Sequence, residues 1–251
     1  PNGANRITVV EELTRRGREW CAKNEASESH SIVDRTLERA LIAVQGPESL
    51  KAVVALLGPE DAERVAALGY YRALEAKVDG VPAMIARTGY TGETGYEIML
   101  PASAAPDVWR KIEAKACGLA SRDTLRLEAG MPLYGNELGR DVAPADAGAA
   151  RLPADHEFVG GAALAERKPT WDLYALVGEG RRAARAGNTV MGEGREIGKV
   201  TSGALSPTLG YPIALARLEP GIAEGAVLDV DVRGTLQPMR VTTLPFYKRS
   251  R

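Results

Sequence analysis

The chain has 251 residues, 45% of them hydrophobic, enough to bury the core of one large domain or two modest ones and too apolar for disorder. Its 32 Lys and Arg against 33 Asp and Glu leave a formal net charge of -1, so nothing draws it generally to nucleic acid or anionic lipid and a partner must be read by a local site. Cys21 and Cys117 are far apart, and neither has a Cys or His at ligand spacing, which argues against a zinc site or a disulfide framework and favours a reducing, cytoplasmic setting.

From Pro1 the N-terminus reads "PNGAN", without Met or a basic-then-apolar signal pattern, and we expect the chain to be part of something longer. From Asn5 to Trp20, Ile7, Val10 and Leu13 recur near helical spacing among Glu and Arg, which predicts a surface helix with one buried stripe. Residues 40–44 form a short apolar run suited to a buried strand. Gly46 then gives a turn, Pro47 opens a helix reaching Leu57, and Gly58 stops it. Residues 59–68 predict another short helix, 70–90 a hairpin turning at Asp79-Gly80, and "YEIMLP" a further strand.

Two helices should follow, 102–118 ended by Gly118 and 121–131 capped at its start by Ser121. Beyond Pro169 come "WDLYALVG", "REIGKVTSG", "YPIALARLEPG", "AVLDVDVRG" and "MRVTTLPF", short runs bounded by Gly or Pro that predict a small β-barrel or sandwich. The change of character puts a domain boundary near 157, giving 1–157 and 158–251, with the Ala- and Gly-rich stretch 143–163 as a connection. No run of about 18 apolar residues is present to span a bilayer.

The most distinctive stretch is "RTGYTGETGYEI", 87–98. It lacks the G-x-G-x-x-G order and the Gly-Lys-Ser/Thr of phosphate-binding loops, and it runs into a strand rather than a helix. One reading is a glycine-rich strand connection, with Gly where φ must be positive. The other is the wall of a pocket for a flat ligand, with Tyr90, Tyr96 and Glu97 beside it. Strand alternation sends Tyr96 and Glu97 to opposite faces, so only one of them can face a given pocket.

In "SRDTLRLE", Arg122 and Arg126 are four apart and share a helix face. They read either as a solvated pair balanced by Asp123 and Glu128 or as an anion or carbonyl site near a helix N-terminus. His30 and His156 lack convergent partners and read as surface residues; no hydrolase elbow, zinc-protease or EF-hand motif occurs, and no metal is expected. With 5% aromatic residues and no basic stripe, an RNA-stacking surface is not expected either.

Taken together, "ALIAVQGP", "ARTGYTGETGYEI", "GLASRDTLRLEAGMPLYGNEL", "GKVTSGALSPTLGYPIALA" and "LPFYKR" resemble the glycine cleavage T-protein family of folate-dependent aminomethyltransferases, in the family's order and over nearly all of the chain. The resemblance implies an α+β fold, a ferredoxin-like folate-binding portion followed by a small C-terminal β-barrel. It also implies transfer of the aminomethyl carbon from the lipoyl arm of H-protein to tetrahydrofolate, the co-substrate, with release of ammonia.

By the same resemblance Asn2, Tyr90, Glu97, Arg122 and Tyr247 are folate-binding, while Asp123 and Arg126 are structural. A reduced pterin offers N3–H and its 2-amino group as a fork that one carboxylate can accept. The family carries roughly one hundred residues before the segment matching Asn2, and its catalytic aspartate falls among them. The resemblance therefore places that aspartate before Pro1, and no residue of this chain matches it. "APADAGAARLPADHEF" departs from the Pro-Leu-Glu-Ala-Gly-Leu-x-Trp-like run usual there. The rival readings are a folate-dependent demethylase of the same superfamily, such as the folate half of a sarcosine or dimethylglycine dehydrogenase, and a non-catalytic folate-binding module. The K-G-C-x-x-G-Q-E signature of the iron–sulfur-assembly relatives is absent.

Overall fold

The computed structural model describes residues 2–24, 31–148, 157–167 and 170–249. Pro1 lies outside the described residues, as do His30 and His156, read above as surface residues. By contact the chain divides into two units, one of residues 1–44, 49–87 and 96–113 and the other of 45–48, 88–95 and 114–251. Mixed helix and strand in the first half and a closed barrel in the second are as the sequence led us to expect.

The first unit starts with helix α1 (Arg6–Lys23). Its expected stripe of Ile7, Val10 and Leu13 is not enclosed: Ile7 and Leu13 are exposed and Val10 is half-buried, while of the helix only Cys21 is buried. Ion pairs from Glu12 to Arg15 and Arg16, and from Arg15 to Glu19, support the helix along its surface instead. Strand β1 (Arg39–Gln45) leads into α2 (Ser49–Val54) and α3 (Pro59–Ala66). The latter has Gly58 as N-cap, Pro59 in its first turn, and Glu60 and Asp61 against the positive end of its dipole.

Strands β2 (Ala73–Val78) and β3 (Val81–Ala86) form the expected hairpin. Asp79 and Gly80 both take positive φ, 51° and 77°, as a two-residue turn matched to strand twist requires. With β4 (Gly95–Pro101) they make a four-stranded sheet in the order β1-β4-β3-β2. Ile42, Val44, Val78, Ile85, Tyr96, Ile98 and Leu100 form its core with Val53, Val65 and Val108 from the helices. Helix α4 (Ala105–Lys111) ends seven residues before Gly118 rather than at it. Ile112 turns extended, at ψ 115°, and packs against that core.

In the second unit α5 (Leu119–Glu128) is capped by Gly118 rather than Ser121, whose N–H donates to the Gly118 carbonyl from inside the first turn. A short α6 (Gly161–Glu166) precedes the barrel strands β5 (Asp172–Gly178), β6 (Thr189–Gly192), β7 (Arg195–Leu205), β8 (Pro212–Leu218), β9 (Val227–Val232) and β10 (Thr235–Thr242). The closed order β10-β5-β8-β7-β6-β9 leaves no free edge.

Leu176, Val190, Val200, Leu218, Val230 and Met239 fill the barrel, and the small Ala214 and Ala216 keep β8 close to its neighbours. The other face of β8 presents Ile213 and Leu215 to Leu127 of α5. Burial on both faces explains its nearly unbroken apolar run. Within β7, a Cβ at Gly203 would lie 2.3 Å from the Ala184 carbonyl oxygen. Gly203→Ala is therefore expected to destabilise the barrel by about 1–3 kcal/mol, read as a lower midpoint in urea unfolding with an unchanged slope.

Candidate functional site

The Gly-rich loop belongs to the second unit from Thr88 to Gly95, and its three glycines serve two purposes. Only Gly92 has positive φ, 76°. At Gly89 and Gly95 a Cβ would fall 1.9 and 2.2 Å from Oε1 of Gln45. That amide is tethered, with Nε2 donating to the Thr88 carbonyl at 3.2 Å and Oε1 accepting from Thr91 Oγ1 at 3.3 Å. A backbone bond from Gly46 N–H to the Thr94 carbonyl, 2.8 Å, closes the loop around it.

Tyr90 projects from this loop with its hydroxyl donating to the Pro132 carbonyl at 2.5 Å. The Arg122 guanidinium, exposed in the first turn of α5, lies 4.8 Å from the centre of the Tyr90 ring. Burial pushes the Tyr90 phenol up, against the opposing pull of the Arg126 charge, so the ring remains a neutral donor under a cation.

Arg126 does not share that exposure. It is fully buried, with Nε donating to Asp123 at 2.8 Å, Nη1 to Glu137 at 2.9 Å and to the Met131 carbonyl at 3.1 Å, and Nη2 to Ser202 Oγ at 2.7 Å. The solvated-pair reading of Arg122 and Arg126 is corrected by this: the second member sits where α5 meets β7. Glu137, also buried, completes the network by accepting from Ser202 Oγ at 2.6 Å and from Leu133 N–H at 2.8 Å. The Glu128 carboxylate accepts from Ser206 Oγ and from Thr208 N–H and Oγ1.

Tyr247 stands in the C-terminal segment after β10. Its N–H donates to the Glu128 carbonyl at 2.8 Å and its hydroxyl to Glu93 Oε1 at 2.7 Å, and that bond to a carboxylate raises the phenol above its ordinary value. Thus Tyr90, Arg122 and Tyr247 all lie in the second unit, where the structure joins Tyr90 to Arg122. Asn2 and Glu97 lie in the first. Asn2 is exposed, its carbonyl accepting from Asn5 N–H at 3.1 Å. Glu97 is half-buried on β4 opposite Ala86, on the face away from Tyr96, which is 1% exposed in the core.

Sequence reasoning passed over Glu93, Glu137, Ser202 and a cluster of arginines. Only the last left a signal, the basic run "GRRAARAG", 180–187. Arg181, Arg182, Arg185 and Arg233 line a cavity of about 610 Å³ with Asn188 and Leu205, a setting whose chemistry suits an anionic group. Among the described residues no group of three or more His, Cys, Asp or Glu could hold a metal ion, and no helix is long and apolar enough to cross a membrane.

Two family descriptions match this architecture, the GCVT N-terminal domain over residues 3–153 and the glycine cleavage T-protein C-terminal barrel domain over 172–248. An aminomethyltransferase of Cutibacterium acnes is 47% identical over 265 residues, covering 99% of this chain and 69% of that protein. One of Corynebacterium aurimucosum is 44% identical, covering 100% and 70%. The crystal structure of glycine cleavage system aminomethyltransferase T from Bartonella henselae superposes with a TM-score of 0.72 at 31% identity, over 84% of this chain and 60% of that one.

These relatives are transferases of one-carbon groups. The chain belongs to the glycine cleavage T-protein family, the aminomethyltransferases, whose shared reaction is folate-dependent transfer of an aminomethyl group in the glycine cleavage system.

Proposed function

We propose that this protein binds tetrahydrofolate and receives the one-carbon unit from aminomethyl-dihydrolipoyl H-protein. In that reaction the carbon exchanges its bonds to nitrogen and sulfur for bonds to two folate nitrogens. The two folate N–H protons leave with ammonia and the dihydrolipoyl thiol, and 5,10-methylenetetrahydrofolate is the product. The observation that carries the reading is the Tyr90–Arg122 pair, a neutral phenol ring with a guanidinium 4.8 Å from its centre and its hydroxyl held by a carbonyl.

A flat, polar heterocycle suits such a pair, since a guanidinium can serve its acceptors while staying stacked on an aromatic ring. Glu97 is assigned the donor edge of the pterin, N3–H and the 2-amino group, and Asn2 and Tyr247 are assigned further contacts. Positioning and polarising the folate for attack on the aminomethyl carbon belongs, by the family resemblance, to an aspartate that no residue of this chain matches. We place the folate-binding portion at 1–157 and the barrel domain at 158–251, and the protein in the cytoplasm.

The test uses the full gene product. We expect it to bind tetrahydrofolate in calorimetry and to release ammonia from aminomethylated H-protein only when folate is present. Demethylation of N- or S-methyl donors without ammonia release would place it with the demethylases. Folate binding with neither activity would make it a binding module, and absence of folate binding would defeat the reading.

A further inference from the structure

The C-terminal segment is tied to the Gly-rich loop through one tyrosine and its neighbour. Tyr247 is held at the backbone by Glu128 and at the hydroxyl by Glu93, and two residues later Arg249 Nη1 donates to Thr94 Oγ1 at 2.7 Å. Glu93 itself follows Gly92 with its positive φ, and its N–H reaches Thr91 Oγ1 at 3.4 Å. A phenol has one proton to give. Because Tyr247 gives it to Glu93, the phenol oxygen offers any other neighbour only lone pairs.

We propose that Glu93 is a positioning residue for ligand recognition: it fixes the Tyr247 ring and makes its oxygen an acceptor, so that Tyr247 reads an N–H or O–H donor of the ligand and not a carboxylate. This rests on the reading of Tyr247 as a folate contact. The upward shift of the phenol agrees with it, since ionising Tyr247 beside Glu93 would set two negative charges together. A glutamine at position 93 keeps an acceptor oxygen, whereas an alanine does not.

The test compares Glu93→Ala, Glu93→Gln and Tyr247→Phe in the full gene product, with tetrahydrofolate as the probe. Glu93→Ala is expected to raise the dissociation constant roughly five- to tenfold, the weight of one ordinary hydrogen bond between ligand and phenol, and Glu93→Gln to stay within about twofold of the parent. In a Tyr247→Phe background Glu93→Ala should add nothing.

An independent measurement needs no folate. Ultraviolet titration of the tyrosines, with the Tyr247→Phe trace subtracted, should show Tyr247 ionising at lower pH in Glu93→Ala. Equal losses with and without Tyr247, unchanged folate affinity, or an unmoved titration would each overturn the proposal. If the parent binds no folate, the folate reading falls and takes the ligand half of this inference with it, while the titration still tests the hold of Glu93 on the phenol.

Discussion

Arg126→Met is expected to cost about 3–5 kcal/mol of stability, because it leaves the Glu137 carboxylate buried without its countercharge. Glu137 would keep the Ser202 hydroxyl and the Leu133 N–H, but neither carries a formal charge. The Met131 carbonyl and the Ser202 oxygen would each lose a donor as well. Urea unfolding followed by far-UV circular dichroism measures the effect as a fall in midpoint. The double variant Arg126→Met/Glu137→Met should be less damaged than the sum of the two singles, since removing both charges also removes the unpaired one. A loss below about 1 kcal/mol for the single variant would show that the network does not hold α5 to the barrel as described.

Glu97→Gln in the full gene product is expected to weaken tetrahydrofolate binding by about 1.5–3 kcal/mol, or roughly ten- to hundredfold. The substitution keeps the size of the side chain but replaces one acceptor oxygen with a donor, which then faces the donor edge assigned to the pterin. Glu97 lies on the face of β4 away from the core, so thermal unfolding should move far less than affinity. Calorimetry at constant pH measures the affinity, and an unchanged value removes Glu97 from the site. The prediction separates Glu97 from Glu93, whose alanine variant acts on the ligand only through Tyr247.

Elements written in local chemistry were legible in the sequence. Asp79-Gly80 announced its hairpin because a two-residue turn needs positive φ, and β5 and β7 to β10 announced themselves as short apolar runs bounded by Gly or Pro. Strand β6 was passed over, being four residues long between turns and held by β7 and β9, which lie later in the chain. The distant partners of Arg126 were hidden for the same reason. Spacing places it on the face of Arg122, but only the arrival of Ser202, seventy-six residues on, makes it a buried hub. Of the candidate site, residue identities came from motif resemblance, whereas Glu93 as the partner of Tyr247 had no sequence signal, since 154 residues separate them.

The glycine spacing of the loop has a consequence for how this stretch can vary. Two of its three glycines are the imprint of a side chain more than forty positions upstream, for the Gln45 amide occupies the space that any larger residue at 89 or 95 would claim. Alanine at either glycine must turn the Gln45 side chain aside and break its bonds to the Thr88 carbonyl and the Thr91 hydroxyl. One amide thus couples the two glycines, and a shortened residue 45 would lower the cost of substitution at both together.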